Sequence, residues 1–173
     1  MATRTYEGER LTLTTTRKFS EVVAHVERAL GRPNIGELFQ KIAAAQTPEE
    51  VNQVVAAAAG PLQLMEFMRL DLGMMLRKDE HPIDRQALRL IVGNPVVMRE
   101  MVRGTPDAGS YAPVTVLIDE RDGGVRVSYD RVAPLLAGYG GDPHALQVAR
   151  ELDAKVEGLL YQAAGQAPDA KAP

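Results

Sequence analysis

Val114-Thr115-Val116-Leu117-Ile118-Asp119 leads across Asp122-Gly123-Gly124 into Val125-Arg126-Val127-Ser128-Tyr129, and this stretch decides the fold. Both arms alternate apolar and polar residues, the period of strands that bury one face. Asp and Gly between them suit the left-handed backbone of a tight hairpin. The centre of the chain is therefore antiparallel sheet.

Working upstream, Thr105 to Pro113 is a Gly/Pro/Ser-rich loop, and Leu88 to Val92 is a short β-rich run. Between them Gly93-Asn94-Pro95 turns the chain into a helix over about 96–102, with Asn at the N-cap and Pro at the first helical position. Leu62 to Leu72 fits a strand with Met65 and Phe67 facing away from Leu64 and Met68. Gly73 to Leu76 follows as a short helix or turn, and Arg77 to Arg85 as a charged loop. At the start, Leu11 and Leu13 alternate with Thr12 and Thr14. Phe19, Val22, Val23, Val26, Ala29 and Leu30 then take helical spacing, with Ser20 or Thr16 as the cap and Gly31 with Pro33 as the stop. Asn34 opens a second helix and Thr47-Pro48-Glu49-Glu50 a third, so residues 34–60 read as a helical insert.

Downstream of the hairpin a helical turn passes through Leu135-Leu136, and Asp142-Pro143 caps a final helix. The pattern predicts one α+β domain over residues 1–163 that carries the helical insert. Residues 164–173, rich in Ala, Pro, Asp and Lys, have no core to bury and are expected to be disordered.

The 173 residues are 45% hydrophobic and 25% charged, a globular balance, with a net charge of −3 that gives no attraction to phosphate backbones. Nucleic acid is set aside as a partner. The absence of cysteine removes disulfides, thiolate metal sites and cysteine nucleophiles. No apolar leader or membrane-length apolar run is present, so a cytoplasmic location is expected.

Met65-Glu66-Phe67 with Asp71-Leu72-Gly73, Leu90 through Pro95, Tyr111 through Ile118, Val127 through Asp130 and Glu151 through Lys155 occur in that order. In this succession the chain resembles the domain of unknown function 302 family. The resemblance implies a two-layer α+β domain, a mainly antiparallel sheet with helices packed on one face, often found as a dimer, and it brings no catalytic residue with it.

Six of the seven methionines lie between Met65 and Met101. Thioethers there could hold copper(I) or haem iron, with His81 as a further metal ligand. They could equally fill a core or line an apolar pocket, for which Met65, Phe67, Met68, Met74, Met75 and Tyr111 are the candidates. His25 and His144 are expected on the surface. Glu66 and Asp71, near Tyr111 and Tyr129, make a polar set that Arg69 and Arg89 can neutralise. Gly93-Asn94-Pro95 lacks the second glycine of a phosphate loop.

The leading expectation is a non-enzymatic homodimer binding a small apolar molecule or cofactor in a Met/Phe-lined pocket. The first alternative is an interaction or scaffold module acting through the 34–60 helices. The second is a small enzyme using Glu66 or His81.

Overall fold

The hairpin is formed by β4 (Val114–Arg121) and β5 (Gly124–Asp130), with Arg121 opposite Gly124. Only the glycines of its turn enter the left-handed region, Gly123 at φ +96° and Gly124 at φ +139°; Asp122 stays out of it. The computed structural model describes residue 3, residues 5–140 and residues 142–168. Its other strands are β1 (Arg10–Thr15), β2 (Met65–Asp71) and β3 (Ala87–Gly93). They give one sheet in the order β1-β5-β4-β3-β2, antiparallel throughout.

The helices are α1 (Phe19–Ala29), α2 (Ile35–Ala44), α3 (Pro48–Ala58), α4 (Leu72–Leu76), α5 (Pro95–Gly104), α6 (Val132–Ala137) and α7 (Pro143–Ala164), with a 3-10 turn at Pro106–Ser110. The α+β class is as expected. Val114, Val116, Ile118, Val125, Val127 and Tyr129 all point into the main core with Leu88, Leu90 and Val92. Each such side chain, fully buried, contributes about 1.5–3 kcal/mol. Against them α7 lays Ala145, Ala149, Leu152, Val156, Leu159 and Ala163, an apolar line at helical spacing.

That helix runs further than expected. Ala163 and Ala164 are buried, and the chain leaves α7 through left-handed Gly165. The guanidinium of Arg17 donates to the carbonyls of Gln162 (2.9 Å) and Ala163 (3.0 Å), satisfying acceptors the helix end leaves free. Residue 164 is thus helix rather than tail, while 169–173 lie outside the described residues. The start of α1 also differs from expectation. Neither Ser20 nor Thr16 caps it; the Glu21 carboxylate reaches back to the Lys18 N–H at 3.0 Å.

The insert is held by two devices. Leu38, Val55 and Met65 form a second buried cluster, with Ile35, Ile42, Val51 and Val54 around it. Beside it Gly31 and Gly60 cross in contact. A Cβ on Gly31 would lie 2.0 Å from the Ala58 carbonyl oxygen, so only glycine fits the crossing. Both glycine N–H groups donate to the Leu64 carbonyl at 2.9 Å, tying the insert to the entry of β2.

β2 is irregular. Glu66 pairs with Val92 and Met68 with Ile91, leaving Phe67 as an extra residue in a bulge. Because Val92 and Ile91 point to opposite faces, so do Glu66 and Met68. This corrects the regular alternation expected for the strand, which put those two on one face.

Candidate functional site

Where β3 ends, Asn94 and Pro95 start α5. The Asn94 Oδ1 accepts from the N–H groups of Val96 (2.8 Å) and Val97 (3.4 Å), and its Nδ2 donates to the Gln63 carbonyl at 2.8 Å. Both ends of that amide are spent on positioning. Pro113, which follows a cis peptide bond, comes against Gly93 from the start of β4. Between these turns opens a cleft of about 150 Å³.

Its deep wall is Met101 and Leu152, both buried, with Ala112. Met98 and Val97 continue it along α5, and Phe67 with Phe39 stand at the mouth, their ring centroids 6.5 Å apart and tilted by 37°. Phe39 is half exposed. Among the described residues of the lining Asn94 contributes the only polar side chain, with its oxygen taken by α5 and one N–H by the Gln63 carbonyl. Gly93 sets the width: a Cβ there would stand 3.0 Å from Pro113 Cβ and 3.4 Å from Phe67 Cε2. Chemically the cleft can exclude water and embrace an apolar group.

The expected pocket residues are not brought together. Phe67 reaches the cleft. Met65 is fully buried in the second cluster beneath the insert, and Met68 is exposed on the other face of β2. Met74 and Met75 are exposed on α4. Tyr111 adjoins the cleft through Ala112, but its hydroxyl meets that of Tyr139 at 2.6 Å and its ring packs on Tyr6. The hydrogen bond to Tyr139 and then burial hold the Tyr111 phenol above its ordinary range.

His81 lies exposed in the loop after α4, where its N–H donates to Asp79 at 3.0 Å. Among the described residues no three His, Asp or Glu side chains converge as a metal-binding group. His25 is half buried on α1, and His144 is exposed, 3.6 Å from Glu100. Glu66 is paired twice over with Arg69, at 2.9 Å on each arm; Glu27 reaches the same guanidinium at 2.6 Å. The Glu66 hydrogen bonds hold Arg69 above its ordinary value against the opposing effect of burial. Asp71 caps α4 through the Met74 N–H and meets Arg77, while Arg89 turns to Thr115.

Sequence reasoning missed Phe39 and Leu152 as lining residues, since each lies on a helix whose apolar stripe gave no sign of a gap. Met98 and Met101 showed the three-residue spacing of a core-facing helix, and they do face inward, with the cleft between them and Phe67. Asp153 enters the sequence reading only as part of the Glu151–Lys155 motif, with no role given to it. Its carboxylate accepts from the Tyr129 hydroxyl (2.6 Å) and the N–H groups of Val132 (2.8 Å) and Ala133 (2.9 Å), so α7 caps α6. Burial pushes both the Tyr129 phenol and the Asp153 carboxyl upward.

Among the described residues no helix is long and apolar enough to cross a membrane. No curated protein matches the chain. A crystal structure of an uncharacterised conserved DUF302 protein from Bacillus stearothermophilus is similar in fold. Its TM-score is 0.60 at 11% identity, over 90% of this chain and 97% of that one. The family model described as "Domain of unknown function DUF302" matches residues 40–163, beginning within α2 and taking in all of α3. With the match spanning that much of the sequence, the chain belongs to the DUF302 family.

Proposed function

We propose that this domain binds a small apolar molecule, or the apolar end of a larger one, in the cleft between β2, α2 and α5, as a cytoplasmic homodimer. The observation that carries the reading is the lining: Phe39, Phe67, Met98, Met101 and Pro113 around a space to which, among the described residues, Asn94 alone brings a polar side chain, its oxygen taken by α5 and one N–H by Gln63. A buried polar group of a ligand left without a partner there would lose about 1–3 kcal/mol, so the cleft favours hydrocarbon. Among the described residues of the lining there is no nucleophile–base pair, and Glu66 is committed to Arg69.

The pairing of two copies draws support from the opposite face. Met68, Leu70, Leu72, Met74, Met75 and Ile83 are large apolar side chains exposed along the edge strand β2, α4 and the loop beyond. A contiguous apolar edge of this kind marks an association surface. The 34–60 helices offer less to a partner, since Leu38 and Val55 turn their apolar faces onto Met65.

Xenon tests the cleft directly, because it enters apolar cavities without needing a shaped partner. With methyl-labelled methionine, xenon pressure is expected to shift the Met98 and Met101 signals and leave Met74 and Met75 unmoved. Gly93→Val should abolish the shifts by filling the gap to Pro113. Unmoved Met98 and Met101 signals in the wild type would refute the reading.

A further inference from the structure

Resting on that reading, we infer that the group the cleft receives is a single uncharged aromatic ring rather than an alkyl chain. Three features converge on this class. The space, about 150 Å³, matches the size of apolar cavity known to hold a benzene molecule. A space of that volume takes a ring of about six carbons, so a long acyl chain would have most of its length outside.

The walls differ in kind. On one side Phe39 and Phe67 form a tilted pair at 6.5 Å, a separation at which rings already touch. No third ring can slide between them. One lying below both would present its electropositive edge to their faces, completing a three-ring cluster. On the other side stand the thioethers of Met98 and Met101, whose polarisable sulfurs make favourable contacts with ring edges. A saturated ring of the same outline gains the buried area and neither of these directional contacts. An amine also fails, since the Asn94 Oδ1 already accepts from two N–H groups of α5.

Phe39 gives the inference a second handle. It is carried by α2, half exposed, and lines the cleft beside Phe67. A ring seated below it would cover its inner face.

The test compares toluene with methylcyclohexane, probes of nearly equal size, on the full chain carrying methyl-labelled methionine. Toluene is expected to bind at least about tenfold more tightly, as two directional ring contacts would give, and to shift both Met98 and Met101. Phe39→Leu, at an exposed position that leaves the fold intact, should reduce that preference several-fold while methylcyclohexane binding stays put. Equal or tighter binding of methylcyclohexane would overturn the aromatic inference and leave the apolar cleft standing. Failure of both probes to move either methionine would overturn the cleft as well.

Discussion

Tyr129 on β5 donates its hydroxyl to Asp153 on α7 at 2.6 Å, inside the core. The same carboxylate receives two N–H groups from the first turn of α6, so one side chain joins sheet, short helix and long helix. Removing it by Asp153→Ala strands three donors at once, two of them buried and the Ala133 N–H partly so. The expected loss is about 2–4 kcal/mol in chemical denaturation, against about 1–2 for Tyr129→Phe, which strands none. The two substitutions share the contact and should be non-additive in a double-mutant cycle. Additive effects would show that the hydrogen bond contributes nothing of its own.

The contact of Gly31 with Gly60 predicts a different kind of damage. Gly31→Ala puts a methyl group 2.0 Å from the Ala58 carbonyl oxygen, where backbone must move. The cost should be about 1–3 kcal/mol, as for overpacking elsewhere. It should fall unevenly: amides of α2 and α3 lose protection from hydrogen exchange while those of α7 keep theirs. An unchanged melting temperature would contradict the contact.

The apolar edge along β2 and α4 predicts an oligomeric state. Light scattering at micromolar concentration is expected to give the mass of a dimer for the wild type and of a monomer for the double variant Leu70→Lys, Met75→Lys. Both positions are exposed, so stability of the fold should change by no more than about 0.5 kcal/mol. A monomeric wild type would remove the dimer from the proposal.

Acidification should release the pair that closes the β1–β5 ladder. The side-chain hydrogen bond from Arg10, at 2.5 Å, holds the Asp130 carboxyl below its ordinary value. In the folded state it therefore keeps its charge to lower pH than in the unfolded chain. Its contribution is complete above the ordinary carboxylate value and is lost as pH falls through the depressed one. Both side chains are more than half exposed, so the contribution is under about 1 kcal/mol and salt should erode it. Carboxyl NMR titration should place the Asp130 midpoint higher in Arg10→Gln than in the wild type; coincident midpoints would rule the pairing out in solution.

The elements that could be read in advance are those whose signals are local. Asn94 and Pro95, Thr47 and Pro48, and the alternation of Val125, Val127 and Tyr129 act within a few residues, and each appears where its chemistry puts it. The cap of α6 could not be read that way, because its acceptor, Asp153, comes from a helix that begins 11 residues after α6 starts. The cleft was harder still. Its walls come from α2, β2, the end of β3, α5, the Ala112-Pro113 turn and α7, and a void is a property of how separate elements meet, with no residue type to announce it. The methionine run drew attention to the right part of the chain, yet β2, α4 and α5 divide it among a buried cluster, an open surface and a cleft. The tail misled for the opposite reason: alanine looks featureless in sequence, and at 163 and 164 it is small enough for the helix to pack close.

The extra residue in β2 changes the arithmetic of that strand. A ribbon with a repeat of two puts positions three apart on opposite sides, yet Glu66 and Arg69 meet on one side because Phe67 is not counted in the ladder. Parity is thus reversed at a single position. Removing that one residue would leave Glu66 facing Val92 and Arg69 facing Leu90, so the acid and its guanidinium, then two apart in a regular strand, would stay on one side. What the edge would lose is the ring of Phe67 itself, and with it part of the wall of the cleft.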